Sequence, residues 1–93
     1  MRYEIVIKPT AEKGLDRIPR LACKRIVDAL EELRSNPRPA GAVKLAGTGN
    51  FWRIRIGDYR VVYKIVKHEI WVLGIINRRD VYRDILKRLS WTP

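Results

Sequence analysis

Apolar and basic residues alternate strictly through Trp52, Arg53, Ile54, Arg55 and Ile56, the period of a strand with one buried face. Gly57-Asp58 follows as a two-residue turn, because both residues tolerate the positive φ that tight hairpins use. A turn at that point sets the register of a hairpin over residues 52–64. It pairs Ile56 with Tyr59, Arg55 with Arg60, Ile54 with Val61, Arg53 with Val62 and Trp52 with Tyr63. Trp52, Ile54, Ile56, Tyr59, Val61 and Tyr63 then share a core face, and Arg53, Arg55, Arg60 and Lys64 share the other. Like charges directly across a strand pair destabilise it by up to about 1 kcal/mol. The arrangement therefore predicts an external polyanion as the compensating charge.

The same reading extends along the chain. Tyr3, Ile5 and Ile7 fall on one side of a first strand from Tyr3 to Lys8, which Pro9 ends. Thr10 is the expected N-cap of a helix with Ala11, Leu15 and Ile18 at i, i+4 and i+7, closed by Pro19. A longer helix is predicted from Leu21 to Ser35, with Ala22, Ile26, Ala29, Leu30 and Leu33 on one stripe. Asn36-Pro37-Arg38-Pro39 stops it, and residues 37–49 read as irregular. Beyond the hairpin, Lys67, His68 and Glu69 turn the chain into Ile70 to Ile76, a continuously apolar run and hence a strand covered on both faces. Arg78-Arg79-Asp80-Val81-Tyr82-Arg83 opens a basic C-terminal helix with Val81, Ile85, Leu86 and Leu89 as its apolar positions. The order β-α-α-β-β-β-α describes an α+β domain, a helical hairpin packed on an antiparallel sheet that the first strand makes mixed.

Composition adds a single domain over residues 1–93 and a charge to explain. The 93 residues, 46% of them hydrophobic, suffice for one core, not two. The net charge is +10, from 20 Lys+Arg against 10 Asp+Glu. It is unevenly placed, at +2 over residues 1–36 and +8 over residues 37–93. A near-balanced half followed by a strongly basic one points to an anion-binding surface built by the second half. One cysteine, Cys23, excludes an internal disulfide and with His68 offers no metal-ligand set, which fits a reducing, cytoplasmic setting. No stretch is long enough for a membrane span and no secretion signal opens the chain, so a soluble protein is expected.

No nucleophile-base pair is readable, and the carboxylates are scattered over helix surfaces. The two glycines at 47 and 49 do not make a phosphate loop. Arginine, lysine and tyrosine remain, a set suited to phosphate: guanidinium groups fork onto its oxygens, and a tyrosine ring can stack on a base. Fixed cations around one phosphate also stabilise the extra charge of a five-coordinate transition state.

With the helix pair from Ala11 to Leu33, Lys44-Leu45-Ala46-Gly47, the hairpin from Trp52 to Tyr63 and the run Asn77-Arg78-Arg79-Asp80-Val81-Tyr82-Arg83, the chain resembles RelE-type toxins of the RelE/ParE toxin-antitoxin superfamily over nearly its whole length. The resemblance implies a ribosome-dependent endoribonuclease, without metal or cofactor, that cuts messenger RNA in the decoding site. It implies attack of the RNA 2′-hydroxyl on its own 3′-phosphate, and an acidic antitoxin that holds the toxin inactive in a hetero-oligomer. By position in the resembling motifs, Arg53 and Arg55 lie near the scissile phosphate, Arg60 and Arg78 grip it, and Tyr82 stacks on the base or moves a proton. Lys44, Lys64, Arg79 and Arg83 are expected RNA backbone contacts. The family's lysines at the positions of Arg53 and Arg55 are arginines here, and its frequent histidine before Arg78 is Asn77. Both changes favour charge stabilisation over general base catalysis. Two competing expectations are a ParE-like gyrase inhibitor, which generally lacks the arginine set, and a binding module that grips antitoxin or ribosome without cutting.

Overall fold

The computed structural model describes residues 2–45 and 50–77; the predicted C-terminal helix lies outside them. Within these bounds the chain runs β1 (Glu4–Ile7), α1 (Pro9–Asp16), α2 (Arg20–Leu33), β2 (Val43–Lys44), β3 (Phe51–Ile56), β4 (Tyr59–Val66) and β5 (Glu69–Asn77). The strands form one mixed sheet in the order β1-β5-β4-β3-β2, with β1 parallel to β5 and the other pairs antiparallel. The α+β arrangement is the one expected. β2 is an addition, for the stretch over residues 37–49 had read as irregular.

Two prolines shape the helical hairpin. Pro9 is the first residue of α1, with Lys8 rather than Thr10 at the N-cap and no side-chain cap. Its ring presets a helical φ and it has no N–H to leave unsatisfied, so it starts the helix as well as ending the strand. Pro19 takes the N-cap of α2, which therefore begins at Arg20 and ends at Leu33, short of the predicted end at Ser35. Ile26, Leu30 and Leu33 of α2 are buried at i, i+4 and i+7. The chain start is pinned to the end of α2, where Tyr3 N–H donates to the Arg34 carbonyl at 2.8 Å and Arg34 Nε donates to the Tyr3 carbonyl at 3.1 Å.

The helices cover one face of the sheet. Ala11, Ile26, Leu30 and Leu33 pack with Ile54, Val61, Tyr63, Ile65, Ile70 and Val72 in one cluster, and Trp52, Ile56 and Tyr59 pack against it part-buried. Tyr63 has no exposed surface, and its hydroxyl donates to the Pro37 carbonyl at 2.7 Å. Burial pushes its phenol from 10.0 up to about 12, against a smaller downward pull from Arg38. α1 approaches β5 closely, since a Cβ added to Gly14 would stand 3.2 Å from Ile75 Cβ.

The hairpin register is the predicted one, from Ile56 opposite Tyr59 to Trp52 opposite Tyr63, and it extends to Phe51 opposite Lys64. The turn uses one positive φ, +60° at Gly57, and Asp58 has none. Glycine at the first central position is the type II′ pattern. The next turn places a non-glycine residue, Lys67, at φ 54°. A register shift between Val62 and Tyr63 sets Val62 opposite Gly74 but Tyr63 opposite Val72, leaving Leu73 as the extra residue of β5.

Candidate nucleic-acid interface

Strand parity separates the sheet into a helix-covered side and a basic side. Arg53, Arg55 and Arg60 point away from the helices, with Arg55 and Arg60 directly paired. Arg55 is exposed, whereas Arg53 and Arg60 are part-buried. Arg55 Nε donates to the Gly57 carbonyl at 3.1 Å, which ties the guanidinium to the tight turn and occupies one of its five donors. Lys64 lies on the same side, its Nζ 5.1 Å from the centre of the Phe51 ring. The expected cluster of Arg53, Arg55, Arg60 and Lys64 on one face thus exists.

Apolar groups interrupt the basic side. Phe51, Val62 and Ile76 are buried, yet parity puts them among the cations: Val62 opposite Arg53, Ile76 opposite Arg60 and Phe51 opposite Lys64. An apolar floor between charged side chains lowers the local dielectric, which strengthens attraction for an anion held there. The hairpin alone places Phe51 and Val62, and the shift at Val62 is what brings Ile76, rather than Ile75, beside Arg60.

Lys44 is placed differently from expectation. It pairs with Trp52, so it belongs to the helix-facing parity at the sheet edge, and Val43 takes the position opposite Arg53. A two-residue strand gets its parity from pairing alone, which no periodicity in the stretch around it announces. Arg78, Arg79, Tyr82 and Arg83 lie outside the described residues.

Two residues that the sequence did not single out join the basic side at its far end. Trp71 of β5 pairs with both Lys64 of β4 and Val6 of β1. Lys8 Nζ sits 3.9 Å from the centre of its ring, and Trp71 Nε1 donates to Glu69 Oε1 at 2.9 Å. The signal was present, because the turn at Lys67-His68 fixes Trp71 opposite Lys64. It was hidden by the unbroken apolar run around Trp71, which carries no face information.

No helix among the described residues is long and apolar enough to cross a membrane. The fold agrees with known proteins. Toxin RelE3 of Methanocaldococcus jannaschii is 26% identical over 83 residues, 85% of this chain and 94% of that protein. The archaeal RelE in a RelE-RelB complex from Pyrococcus horikoshii is 30% identical with a TM-score of 0.76, covering 87% of this chain and all of that one. A doubly substituted RelE toxin of E. coli in the free state, at 22% identity and a TM-score of 0.78, covers 95% of this chain and 98% of its own and shares the fold. Residues 5–82 match the ParE toxin family of the parDE type II toxin-antitoxin system, and the chain belongs to that family, as a RelE-type toxin.

Proposed function

We propose that this toxin is an endoribonuclease that cuts messenger RNA bound in the decoding site of the ribosome, in the cytoplasm. The observation that carries the reading is the arginine face: Arg53, Arg55 and Arg60 stand together on one side of one hairpin, with two of them in direct register. Such a face is costly for an isolated strand pair and suited to a phosphate, whose oxygens accept forked hydrogen bonds from guanidinium groups. In the proposed reaction the RNA 2′-oxygen attacks its own 3′-phosphorus and loses its proton, while the bond to the 5′-oxygen of the next nucleotide breaks and that oxygen gains a proton. The products are a 2′,3′-cyclic phosphate and a 5′-hydroxyl end. Arg60 and Arg78 hold the non-bridging oxygens, Arg53 and Arg55 add positive charge beside them, and Tyr82 stacks on the base or carries a proton. The cations supply the charge stabilisation without a metal.

Arginine keeps its charge at neutral pH and so transfers protons poorly. The rate must then come mainly from holding the 2′-oxygen in line and clamping the developing charge. A ribosome that presents the backbone already bent removes the ordering cost, so free RNA should be cut weakly or not at all. In this reading an acidic antitoxin covers the basic side in a hetero-oligomer, as RelB accompanies RelE in the P. horikoshii complex.

Primer extension on programmed ribosomes tests the assignment. Arg60→Ala and Arg78→Ala are each expected to slow cleavage by about 100-fold or more, the loss seen when one donor to a developing oxyanion is removed, with ribosome binding retained. Undiminished cutting by both variants would remove these residues from the site. A parent protein that binds ribosomes and never cuts would be a binding module instead, and relaxation defects of gyrase with intact messages would mark a gyrase poison.

A further inference from the structure

On the basic side, cations and aromatic rings alternate across four strands in one row. Lys8, which follows β1, lies over Trp71 of β5 at 3.9 Å; Lys64 of β4 is paired to Trp71 on one side and to Phe51 of β3 on the other, with its Nζ 5.1 Å from the Phe51 ring. Phe51 is buried, whereas Trp71, Lys8 and Lys64 are part-exposed. Of these two rings, Trp71 is therefore the one that can meet a ligand. Its indole is held in place at the edge by the hydrogen bond from Nε1 to Glu69, so it meets a ligand without first losing rotamer freedom.

The row is continuous with the arginine face. Lys64 is four residues beyond Arg60 on β4, which at the rise of a strand is roughly 13 Å. Arg53 lies between them, on β3. Past Trp71 the character reverses, because Glu69 and Glu4 stand opposite each other on β5 and β1. Two neighbouring carboxylates repel a phosphate, so the basic track ends there.

We infer that Trp71 and Lys8 form a second nucleotide subsite, in which Lys8 swings off the indole face that it covers, a base of single-stranded RNA stacks there in its place, and Lys8 and Lys64 contact the phosphates on either side of that base. The separation from Arg60 assigns it to a nucleotide flanking the one whose phosphate the arginines hold. An aromatic ring interleaved with cations is the platform by which proteins bind single strands with little sequence preference. The inference rests on the RNA-binding reading of the arginine face and extends it to the neighbouring nucleotide.

The test uses the fluorescence of Trp71 in the full chain with Trp52→Phe and Trp91→Phe, which leaves one tryptophan. The probe is a single-stranded RNA of about eight nucleotides, methylated at every 2′-oxygen so that it cannot be cut. The RNA is expected to quench Trp71, and polyphosphate or polyglutamate to do so far less. Trp71→Leu, which keeps the apolar packing, and Lys8→Ala should each weaken RNA binding, the former about tenfold. Trp71→Phe should retain most of the affinity. Equal quenching by polyphosphate or polyglutamate would show that charge alone, or an acidic polypeptide, is what the ring senses, and would overturn the subsite. RNA that binds and is weakened by Arg60→Ala, but leaves Trp71 fluorescence and the Trp71→Leu affinity unchanged, would overturn the subsite while sparing the arginine face. Failure of RNA to bind at all would overturn the subsite, while the arginine face is judged separately by cleavage on programmed ribosomes.

Discussion

Tyr63 shows how one side chain couples the core to the loop that follows α2. Its hydroxyl is the tie between β4 and the Pro37 carbonyl, and Tyr63→Phe leaves that part-buried acceptor without its donor. A loss of about 1 kcal/mol is expected at neutral pH, read from urea unfolding. The pH dependence has a definite sign. The folded phenol titrates near 12 rather than at 10.0, so between those values the native state holds a proton that the unfolded chain has released. The stabilisation is complete below pH 10 and is lost as pH rises through 12, an effect on the order of 2–3 kcal/mol that Tyr63→Phe should lack. The difference between the two unfolding curves isolates it from lysine titration, which both proteins share. At this scale the sequence told much: Arg53, Arg55 and Arg60 were readable as one face because a two-residue turn leaves the register no freedom. Lys44 was not, because only its pairing with Trp52 assigns it a side.

Among the elements, α1 and β5 make a tight approach. Gly14 faces Ile75, whose Cβ is fixed to the strand backbone and cannot rotate aside. Gly14→Ala gains helix propensity of about 0.5–1 kcal/mol but forces a methyl into a contact that costs about 1–3 kcal/mol. We expect a net loss of about 1 kcal/mol, a fall of roughly 4–8 °C in Tm for a domain of this size; a rise in Tm would mean that the helix shifts freely on the sheet. The helix pair and the hairpin were legible because periods of 3.6 and 2 repeat often enough to be seen. The helix starts were displaced by Pro9 and Pro19, whose fixed φ outweighed the capping preference of Thr10. β2 and the irregularity at Val62/Tyr63 were not legible, since each arises where a neighbouring strand imposes its geometry on a segment with no pattern of its own.

For the whole molecule, the basic side should dominate association with polyanions. Binding to a single-stranded RNA is expected to weaken steeply as salt rises, and simultaneous replacement of Arg53, Arg55 and Arg60 by Ala should flatten the slope by about one counterion for each phosphate no longer neutralised. An unchanged slope would place the binding surface elsewhere. β1 completes one edge of the sheet that carries this surface, pairing with residues 69–72 of β5, so most of the chain separates two strands that must lie side by side. Such distant pairing is slow to form, and it also imposes an order in time on synthesis. The first strand leaves the ribosome early and has nowhere to dock until β5 follows it out. Nascent chains released just short of Ile70 should accordingly remain sensitive to protease, whereas release beyond Asn77 should yield protection of the sheet. The parallel edge of the sheet is thereby kept unassembled until β5 has been translated.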